Sequence, residues 1–486
     1  MEDYRHGIRV LETPTDTGKP VSGNSGLQVV FGTAPVNLID KPENSVNKLI
    51  YCETYEDAVR QLGYSEEFEK YTLCQSMYAS FKLFKVAPVI FVNVLDPKKH
   101  KTVIAETSVP VIDKQAVLTD TGVLLSSITV KSETTNLVRD TDYILSFDSS
   151  GKLVVTLLST GSAYSATSIK ISGEKLDPSA VTSADIVGGY DAVTGKESGI
   201  ELIRQVFPRY GRVPGTIIAP GWSDKSVVSA ALQGKCSELN GKFSCMCLID
   251  LSTTVAQKYT DVAKVKNDNS ILSKFAIALW PMIKSNDKIL AYSAVYGALC
   301  AYLDINNDEV PSLYPSNKLL DITSSVLVNG SEVVLDEIQG NTLNAQGIVT
   351  IINQVGLRAW GNNTAAYPVT KDPKDRWIAI RRCFNWYANS FIIRFIEKVD
   401  DPTNYKLIES FIDTENMNGN ALVAEGKLAG AKIEFNINEN KKEQIIAGKI
   451  RFKERIAPYT PAEYIENELS FDPNMIENAI GGNSNG

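Results

Sequence analysis

The sequence is poor in the residues that most catalytic and nucleic-acid sites require. Its 486 residues include only two histidines, His6 and His100, so chemistry that needs a pair of imidazoles has little to draw on. Acidic residues outnumber basic ones by 57 to 49, which argues against the basic face that displaces counterions from nucleic acid. No apolar run approaches the roughly 20 residues that span a bilayer. These features predict neither direct nucleic-acid contact nor membrane insertion.

The cysteines also exclude a disulfide framework. There are seven, an odd number, and most lie inside apolar stretches such as residues 243–251. Buried free thiols in a reducing compartment fit this pattern best. The first residues lack the basic start and apolar stretch of a signal peptide. We therefore expect the protein to be assembled in the cytoplasm of its cell.

Length and composition predict several folded domains, since 43% of the residues are hydrophobic and 22% are charged. Residues 27–104 and 188–370 alternate apolar strands with amphipathic helices, the order typical of an α/β layer. Val89–Leu95, for example, reads as a strand buried on both faces. Between these segments, residues 105–187 contain 25 serines and threonines and several short β-rich runs. This change predicts a small inserted β-sandwich or barrel.

From residue 371 the pattern becomes α+β, up to residue 457. Asp375–Val399 carries apolar residues on one helical stripe. Two strands with alternating apolar residues are predicted after it, Ala431–Asn438 and Lys449–Ile456. Residues 1–26 and 458–486 read as extended arms. The predicted fold class is an α/β multidomain protein: a central α/β domain with an inserted β domain, an α+β C-terminal domain and two terminal arms.

No group of residues predicts a catalytic, cofactor or metal site. The nearest match to a phosphate-binding loop, Gly189 to Gly195-Lys196-Glu197, has the wrong spacing and a Glu in place of the hydroxyl. Cys245 and Cys247 could form a soft metal pair, but no other Cys or His lies close by in sequence, so buried packing is favoured. We therefore expect a protein that is not an enzyme.

The two ends of the chain predict an exchange of strands between copies. Two strands are too few for an independently stable sheet, and the arms cannot pair their own backbone groups. From Ile456 onward there are five acidic residues and no Lys or Arg, whereas residues 427–455 hold eight basic and four acidic ones. An acidic arm and a basic sheet attract each other. A detached acidic tail is the alternative.

Four motifs resemble those of contractile tail sheath proteins, from phage tails or related bacteriocin particles. They are Tyr4-Arg-His-Gly7-Ile-Arg-Val-Leu-Glu12, Pro311-Ser-Leu-Tyr-Pro-Ser-Asn317, Gly356-Leu-Arg-Ala-Trp-Gly361 and Trp377-Ile-Ala-Ile-Arg381-Arg382-Cys-Phe384-Asn385. The likeness covers most of the chain and is weakest in residues 105–187. One departure is clear: the family has Arg-Thr-Leu after the Trp-Gly, where this chain has Asn362-Asn363-Thr364-Ala365.

The resemblance implies a structural subunit that forms stacked sixfold rings around an inner tail tube and contracts to drive the tube through the target envelope. It implies as partners other copies of this chain, the inner tail tube protein, and baseplate and tail terminator proteins. The C-terminal domain would face the tube, and the inserted β domain would lie outside. The protein would be located in the tail of a virion or bacteriocin particle. Strand exchange is assigned to these residues: Gly7, Ile8, Arg9, Val10, Leu11, Ile433, Phe435, Ile437, Ile450, Phe452, Tyr464 and Ile465.

Two other readings stay open on the sequence alone. A cytoplasmic α/β enzyme with a β insert would need a pocket with convergent titratable groups. A non-contractile oligomeric scaffold would form one lattice instead of two.

Overall fold

The computed structural model describes residues 25–480, which form a mixed α/β fold with several sheets. This confirms the predicted α/β class. The strands are β1 (Gln28–Gly32), β2 (Ile50–Cys52), β3 (Val89–Asn93), β4 (Lys101–Pro110), β5 (Gln115–Thr121), β6 (Thr129–Ser132), β7 (Thr135–Asn136), β8 (Tyr143–Phe147), β9 (Lys152–Leu157), β10 (Ser168–Leu176), β11 (Gly189–Asp191), β12 (Lys196–Ser198), β13 (Thr216–Ile218), β14 (Met246–Asp250), β15 (Ala276–Leu279), β16 (Met282–Ser285), β17 (Lys288–Leu290), β18 (Ser324–Val326), β19 (Ile348–Asn353), β20 (Leu357–Trp360), β21 (Gly430–Glu434) and β22 (Lys453–Ala457).

The helices are α1 (Tyr55–Leu62), α2 (Leu73–Met77), α3 (Ser183–Val187), α4 (Val206–Tyr210), α5 (Ser226–Lys235), α6 (Tyr259–Asp268), α7 (Tyr292–Ile305), α8 (Glu337–Asn344), α9 (Pro373–Arg376), α10 (Ile378–Phe395), α11 (Tyr405–Ala424), α12 (Lys442–Ile446) and α13 (Pro473–Ile480). A π-helical segment, Tyr78–Leu83, continues α2, and a 3-10 segment, Gly199–Gln205, leads into α4.

A central sheet organises the body, with strand order β2-β3-β1-β13-β14-β15-β19-β20. The six strands from β3 to β19 are parallel, and an antiparallel strand lies at each edge. Every residue of β1, β3, β13 and β15 is buried. The continuous apolar runs of the sequence therefore lie in strands covered on both faces, as is usual in parallel sheets.

A separate β unit is inserted between β3 and α3. Its strands form two antiparallel sheets, β4-β10-β6-β7 and β5-β9-β8. The residues between the sheets form a hydrophobic core of their own, which includes Ala116, Leu153 and Ile171. These sheets run from Lys101 to Leu176, whereas the predicted insert covers residues 105–187. The division of the chain into domains stays a prediction.

The helices after residue 371 differ from the sequence prediction in two ways. The predicted helix Asp375–Val399 is divided, because Trp377 is extended (φ −83°, ψ 125°) and separates α9 from α10. Helix α11 was not predicted, although Asn404 marks its beginning by accepting a hydrogen bond from the Leu407 amide. Helices α10 and α11 form the inner surface against which the C-terminal strands pack.

A buried ion pair joins α10 to the body. Arg382 donates to the Asp304 carboxylate near the end of α7, and both side chains are almost fully buried. Burial raises the pKa of Asp304, while the Arg382 guanidinium opposes this shift. Asn389 adds hydrogen bonds to both backbone groups of Ser244. These polar contacts fix the position of α10 against α7 and β14.

The Arg382–Asp304 pair leads to a stability prediction. Arg382→Met should lower the free energy of unfolding by about 3–5 kcal/mol, because it leaves the Asp304 carboxylate buried without a cation. The double variant Arg382→Met/Asp304→Leu should recover most of this loss. Urea unfolding followed by fluorescence measures both, and equal destabilisation of the single and double variants would contradict the assignment.

Candidate functional site

The C-terminal sheet consists of two antiparallel strands, β21 and β22, with Ile433 opposite Glu454 and Lys432 opposite Arg455. Residues alternate between the two faces. Ile433 and Ile456 pack towards the helices, whereas Lys432, Glu434 and Arg455 form ion pairs on the exposed face. The sheet is therefore amphipathic, and its inner face is already covered within the subunit.

The two edges of this sheet differ. On the β21 edge, the side chain of Asn416 in α11 accepts a hydrogen bond from the Ile433 amide at 3.0 Å and donates to the Ile433 carbonyl at 3.3 Å. The backbone amide and carbonyl of Ile433 point away from β22. The backbone groups of the opposite residue Glu454, and of Ile456, therefore point away from β21, towards the other edge of the sheet. Within residues 25–480 no further strand pairs with β22. Asn416 thus occupies the outward backbone groups of Ile433 on one edge, whereas no strand of the described residues lies on the β22 edge.

The predicted strands extend too far towards the loop that joins them. Phe435 and Ile437 lie beyond the end of β21, and Ile450 and Phe452 precede β22, so four of the residues assigned to strand exchange are outside the sheet. Ile437 is in a 3-10 turn and is 62% exposed.

Asparagine side chains explain the early strand ends. Asn436 accepts a hydrogen bond from the Asn438 amide, which caps the turn. The Asn440 side chain bonds both the amide and the carbonyl of Arg451. These side chains take the backbone groups that a longer ladder would use.

Phe435 and Phe452 pack within the subunit. Their rings lie 5.8 Å apart, and Phe452 stacks on Phe411 of α11 at 5.1 Å. Phe411 in turn stacks on Phe395 of α10 at 4.2 Å. The aromatic residues therefore anchor the 435–452 loop to both helices, and the assignment of Phe435 and Phe452 to strand exchange stays a prediction.

The remaining predicted residues divide into two groups. Tyr464 and Ile465 lie in a segment without regular structure and are 80% and 82% exposed. The predicted residues Gly7, Ile8, Arg9, Val10 and Leu11 lie outside the described residues. The predicted extended arm also contains a helix, α13, which begins at Pro473, a residue favoured in the first helical turn. The assignment of these residues to strand exchange stays a prediction.

A titratable cluster lies beneath the C-terminal sheet. The carboxyl groups of Glu454 in β22 and Glu415 in α11 both face Tyr387 and Arg394 of α10. Burial, together with the nearby Glu415 carboxylate, raises the pKa of Glu454 to about 7. Burial also raises the pKa of Glu415, while Arg394 opposes this shift. A single guanidinium therefore serves two buried carboxyl groups.

A large cleft lies at the carboxyl end of the central sheet, with a volume of about 1200 Å³. Asp250, at the end of β14, is buried there, and this burial raises its pKa to about 6. Its carboxylate is already occupied: it accepts hydrogen bonds from the Ser223 hydroxyl and from the amide and hydroxyl of Ser293 at the start of α7. Asp250 thus caps the start of α7. Its hydrogen-bond partners are serines, so it does not form a pair of catalytic acid and base groups with them.

Two further searches concern the described part of the chain. Residues 25–480 contain no group of three or more His, Cys, Asp or Glu side chains placed to hold a metal ion. None of the helices described is long and apolar enough to cross a membrane.

The architecture is a multi-sheet α/β body with a β insert and a two-stranded C-terminal sheet. The tail sheath protein of Burkholderia phage BcepMu is 26% identical to this chain over 501 aligned positions, which cover 99% of each protein. No family model matches the chain. The resemblance to contractile tail sheath proteins that the motifs predicted is confirmed by this full-length similarity.

Solved structures share the fold. The sheath complex of an extracellular contractile injection system, PVC, in its contracted state has a TM-score of 0.58 at 13% identity, covering 98% of this chain and 99% of the other. The 6-fold symmetrised baseplate structure of the anti-feeding prophage gives 0.57 at 14% identity, covering 97% and 99%.

The Glu454 cluster predicts a pH dependence of stability. In the folded protein Glu454 keeps its proton up to about pH 7, whereas the unfolded chain releases it near its ordinary pKa of about 4.5. Stability should therefore fall as pH rises through this window. Glu454→Gln should lose less stability between pH 5 and 8, a difference of roughly 2–4 °C in Tm.

Glu434→Gln is the matched control, because Glu434 lies on the exposed face of the same sheet. Lys432 lowers the pKa of Glu434, so this variant should retain the pH dependence that Glu454 causes. Thermal unfolding across pH 5–8 compares the three proteins. Parallel curves for Glu454→Gln and the parent chain would contradict the role of Glu454.

Proposed function

We propose that this chain is the structural subunit of a contractile tail sheath. The observation that carries the proposal is the similarity to a phage tail sheath protein along the whole length of both chains. The relatives reported above are named for sheath and baseplate structures, and Asp250, the buried carboxylate in the cleft at the carboxyl end of the central sheet, caps a helix. We therefore propose a role in assembly and no catalytic role.

The open edge of β22 is the proposed acceptor for a strand from a second copy. Its outward-facing backbone groups can each accept or donate a hydrogen bond, which contributes on the order of 1 kcal/mol net. Strand addition at an exposed edge is a common mode of peptide recognition. Support comes from the asymmetry of the sheet, since Asn416 occupies the β21 edge and leaves β22 for the partner.

The proposed donor is the segment after residue 463. Tyr464, Ile465, Leu469 and Phe471 are each between 79% and 88% exposed, which is unusual for apolar side chains so close together. Burial of such side chains in a neighbouring copy contributes about 1.5–3 kcal/mol each. The N-terminal residues 7–12 are the second proposed donor, as the resemblance implies.

In the assembled particle, these contacts would join copies into sixfold rings that stack around an inner tail tube and attach to baseplate and tail terminator proteins. The arms would keep neighbouring copies connected while the folded bodies rotate as rigid units during contraction. The energy for contraction would be stored in the lattice. The proposed location is the tail of a virion or a related particle, assembled in a bacterial cytoplasm.

Electron microscopy of the purified full chain at high concentration tests the proposal directly. We expect hollow tubes or stacked rings with sixfold order, alone or on addition of purified inner tube. A contractile sheath should also give two lattice spacings, whereas a static scaffold gives one. A protein that stays monomeric in both conditions would contradict the sheath role.

A point substitution tests the donor segment. Ile465→Asp should raise the concentration needed for assembly by about tenfold or more, because it replaces an apolar contact of at least about 1.4 kcal/mol. The Tm of the monomer should not change, because Ile465 is exposed in the subunit. Light scattering against protein concentration measures assembly.

Asn467→Asp is the control for this experiment. It adds the same charge two residues away without removing an apolar side chain. Equal effects of the two variants would assign the loss to charge, and the absence of an effect of Ile465→Asp would exclude this segment as a donor.

A further inference from the structure

The root of the C-terminal arm, residues 458–463, is attached to the body at two points. The Tyr314 hydroxyl donates to the Tyr459 carbonyl at 2.7 Å, and the Arg376 guanidinium donates to the Glu463 carboxylate at 2.9 Å. Pro458 and Pro461 stiffen the backbone between these contacts. The root is therefore held at both ends.

Arg376 is itself firmly positioned. Its guanidinium lies between two aromatic rings, 4.5 Å from the Tyr367 ring centre and 3.8 Å from that of Trp377. Its Nε donates to the Asn363 side chain at 2.8 Å. Stacking and this hydrogen bond orient the planar fork, so that Nη2 points at the Glu463 carboxylate before any partner is bound.

Some of the residues beside Arg376 belong to the 362–365 loop, which departs from the family motif. The Asn362 side chain also hydrogen-bonds to Glu463, so the carboxylate is contacted from two directions. Backbone hydrogen bonds fix the loop to the helical segment: Thr364 N donates to the Arg376 carbonyl at 2.7 Å, and Ile378 N donates to the Asn362 carbonyl at 2.8 Å. The result is a preformed site for one carboxylate.

The chain beyond Glu463 has the opposite character. Within the described residues, no hydrogen bond or ion pair joins residues 464–471 to the rest of the protein. Tyr464 is 80% exposed, although it directly follows the held carboxylate. The attached part of the arm therefore ends at Glu463.

We propose that Arg376, Asn362 and Asn363 form a carboxylate clamp that binds Glu463 of the same chain. The clamp fixes where the arm leaves the subunit, so the segment available to a second copy begins at Tyr464. Arg376 and its neighbours are positioning residues in this scheme. The link to a second copy depends on the proposed function, whereas the clamp does not.

Limited digestion of the full chain with chymotrypsin tests the clamp, because Tyr459 lies inside it and Tyr464 lies just outside. Glu463→Gln should speed cleavage after Tyr459 by about tenfold, since it removes the charge-assisted bond. Cleavage after Tyr464 should stay equally fast in both proteins. Tyr314→Phe, which removes only one hydroxyl donor, should change Tyr459 cleavage in the same direction.

Glu466→Gln is the matched control, because this carboxylate makes no ion pair within the described residues. It should leave cleavage at both tyrosines unchanged. Unaltered cleavage after Tyr459 in Glu463→Gln would overturn the clamp, and so would an equal acceleration in Glu466→Gln.

Assembly of the same variants separates the clamp from the sheath proposal. If the clamp directs the arm, Glu463→Gln should assemble more slowly than Glu466→Gln at equal Tm. Faster Tyr459 cleavage with unaltered assembly would overturn the directing role. Failure of the parent chain to assemble, with the cleavage result as expected, would overturn the sheath proposal and leave the clamp intact.

Discussion

The need to pair every backbone amide and carbonyl shapes this protein more than any other constraint. The central sheet meets it along its six parallel strands, each of which has a strand on both sides, with the antiparallel strands β2 and β20 at the two edges. The C-terminal sheet has only two strands and meets it by other means. On one edge the Asn416 side chain takes the place of a strand. On the other edge the outward groups of β22 have no strand beside them among residues 25–480.

Polar side chains also hold other parts of the protein in place. Asn440 binds Arg451 across the loop, Asp250 caps α7, and Arg382 pairs with Asp304 between α10 and α7. The Asp250 and Arg382 bonds connect segments that are distant in sequence. Apolar side chains form the core between these elements, and the polar contacts fix their relative positions. Beneath the C-terminal sheet, the Arg394 guanidinium lies beside two carboxyl groups, those of Glu415 and Glu454.

Much of the fold could be predicted from the sequence, because periodicity reports burial directly. The continuous apolar run after Ala87 became the fully buried strand β3. The helix after Asp375 was predicted within a few residues, but its break at Trp377 was not, since no proline or glycine marks it. The helix α11 was missed even though Asn404 signalled its start.

The candidate site was less predictable, and the reason is physical. Alternation of Ile433, Phe435 and Ile437 fits a strand, but the side chains of Asn436 and Asn440 compete for the same backbone groups. Competition of this kind depends on which residues meet in space, so spacing alone does not reveal it. The proposed clamp on Glu463 is likewise built from residues far from it in the chain, Asn362, Asn363 and Arg376.

The capping of Ile433 by Asn416 also limits where another chain could pair with the C-terminal sheet. A strand approaching β21 would have to displace the Asn416 amide from both backbone groups of Ile433, whereas no strand lies beside β22 among residues 25–480. In the proposed exchange the donor is an arm and the acceptor is the β22 edge, so the two contacting surfaces of a subunit would differ. Contacts between unlike surfaces repeat from copy to copy and generate rings or helices instead of closed pairs. Under that proposal, the polarity of growth would come from the separation of arm and edge within one chain.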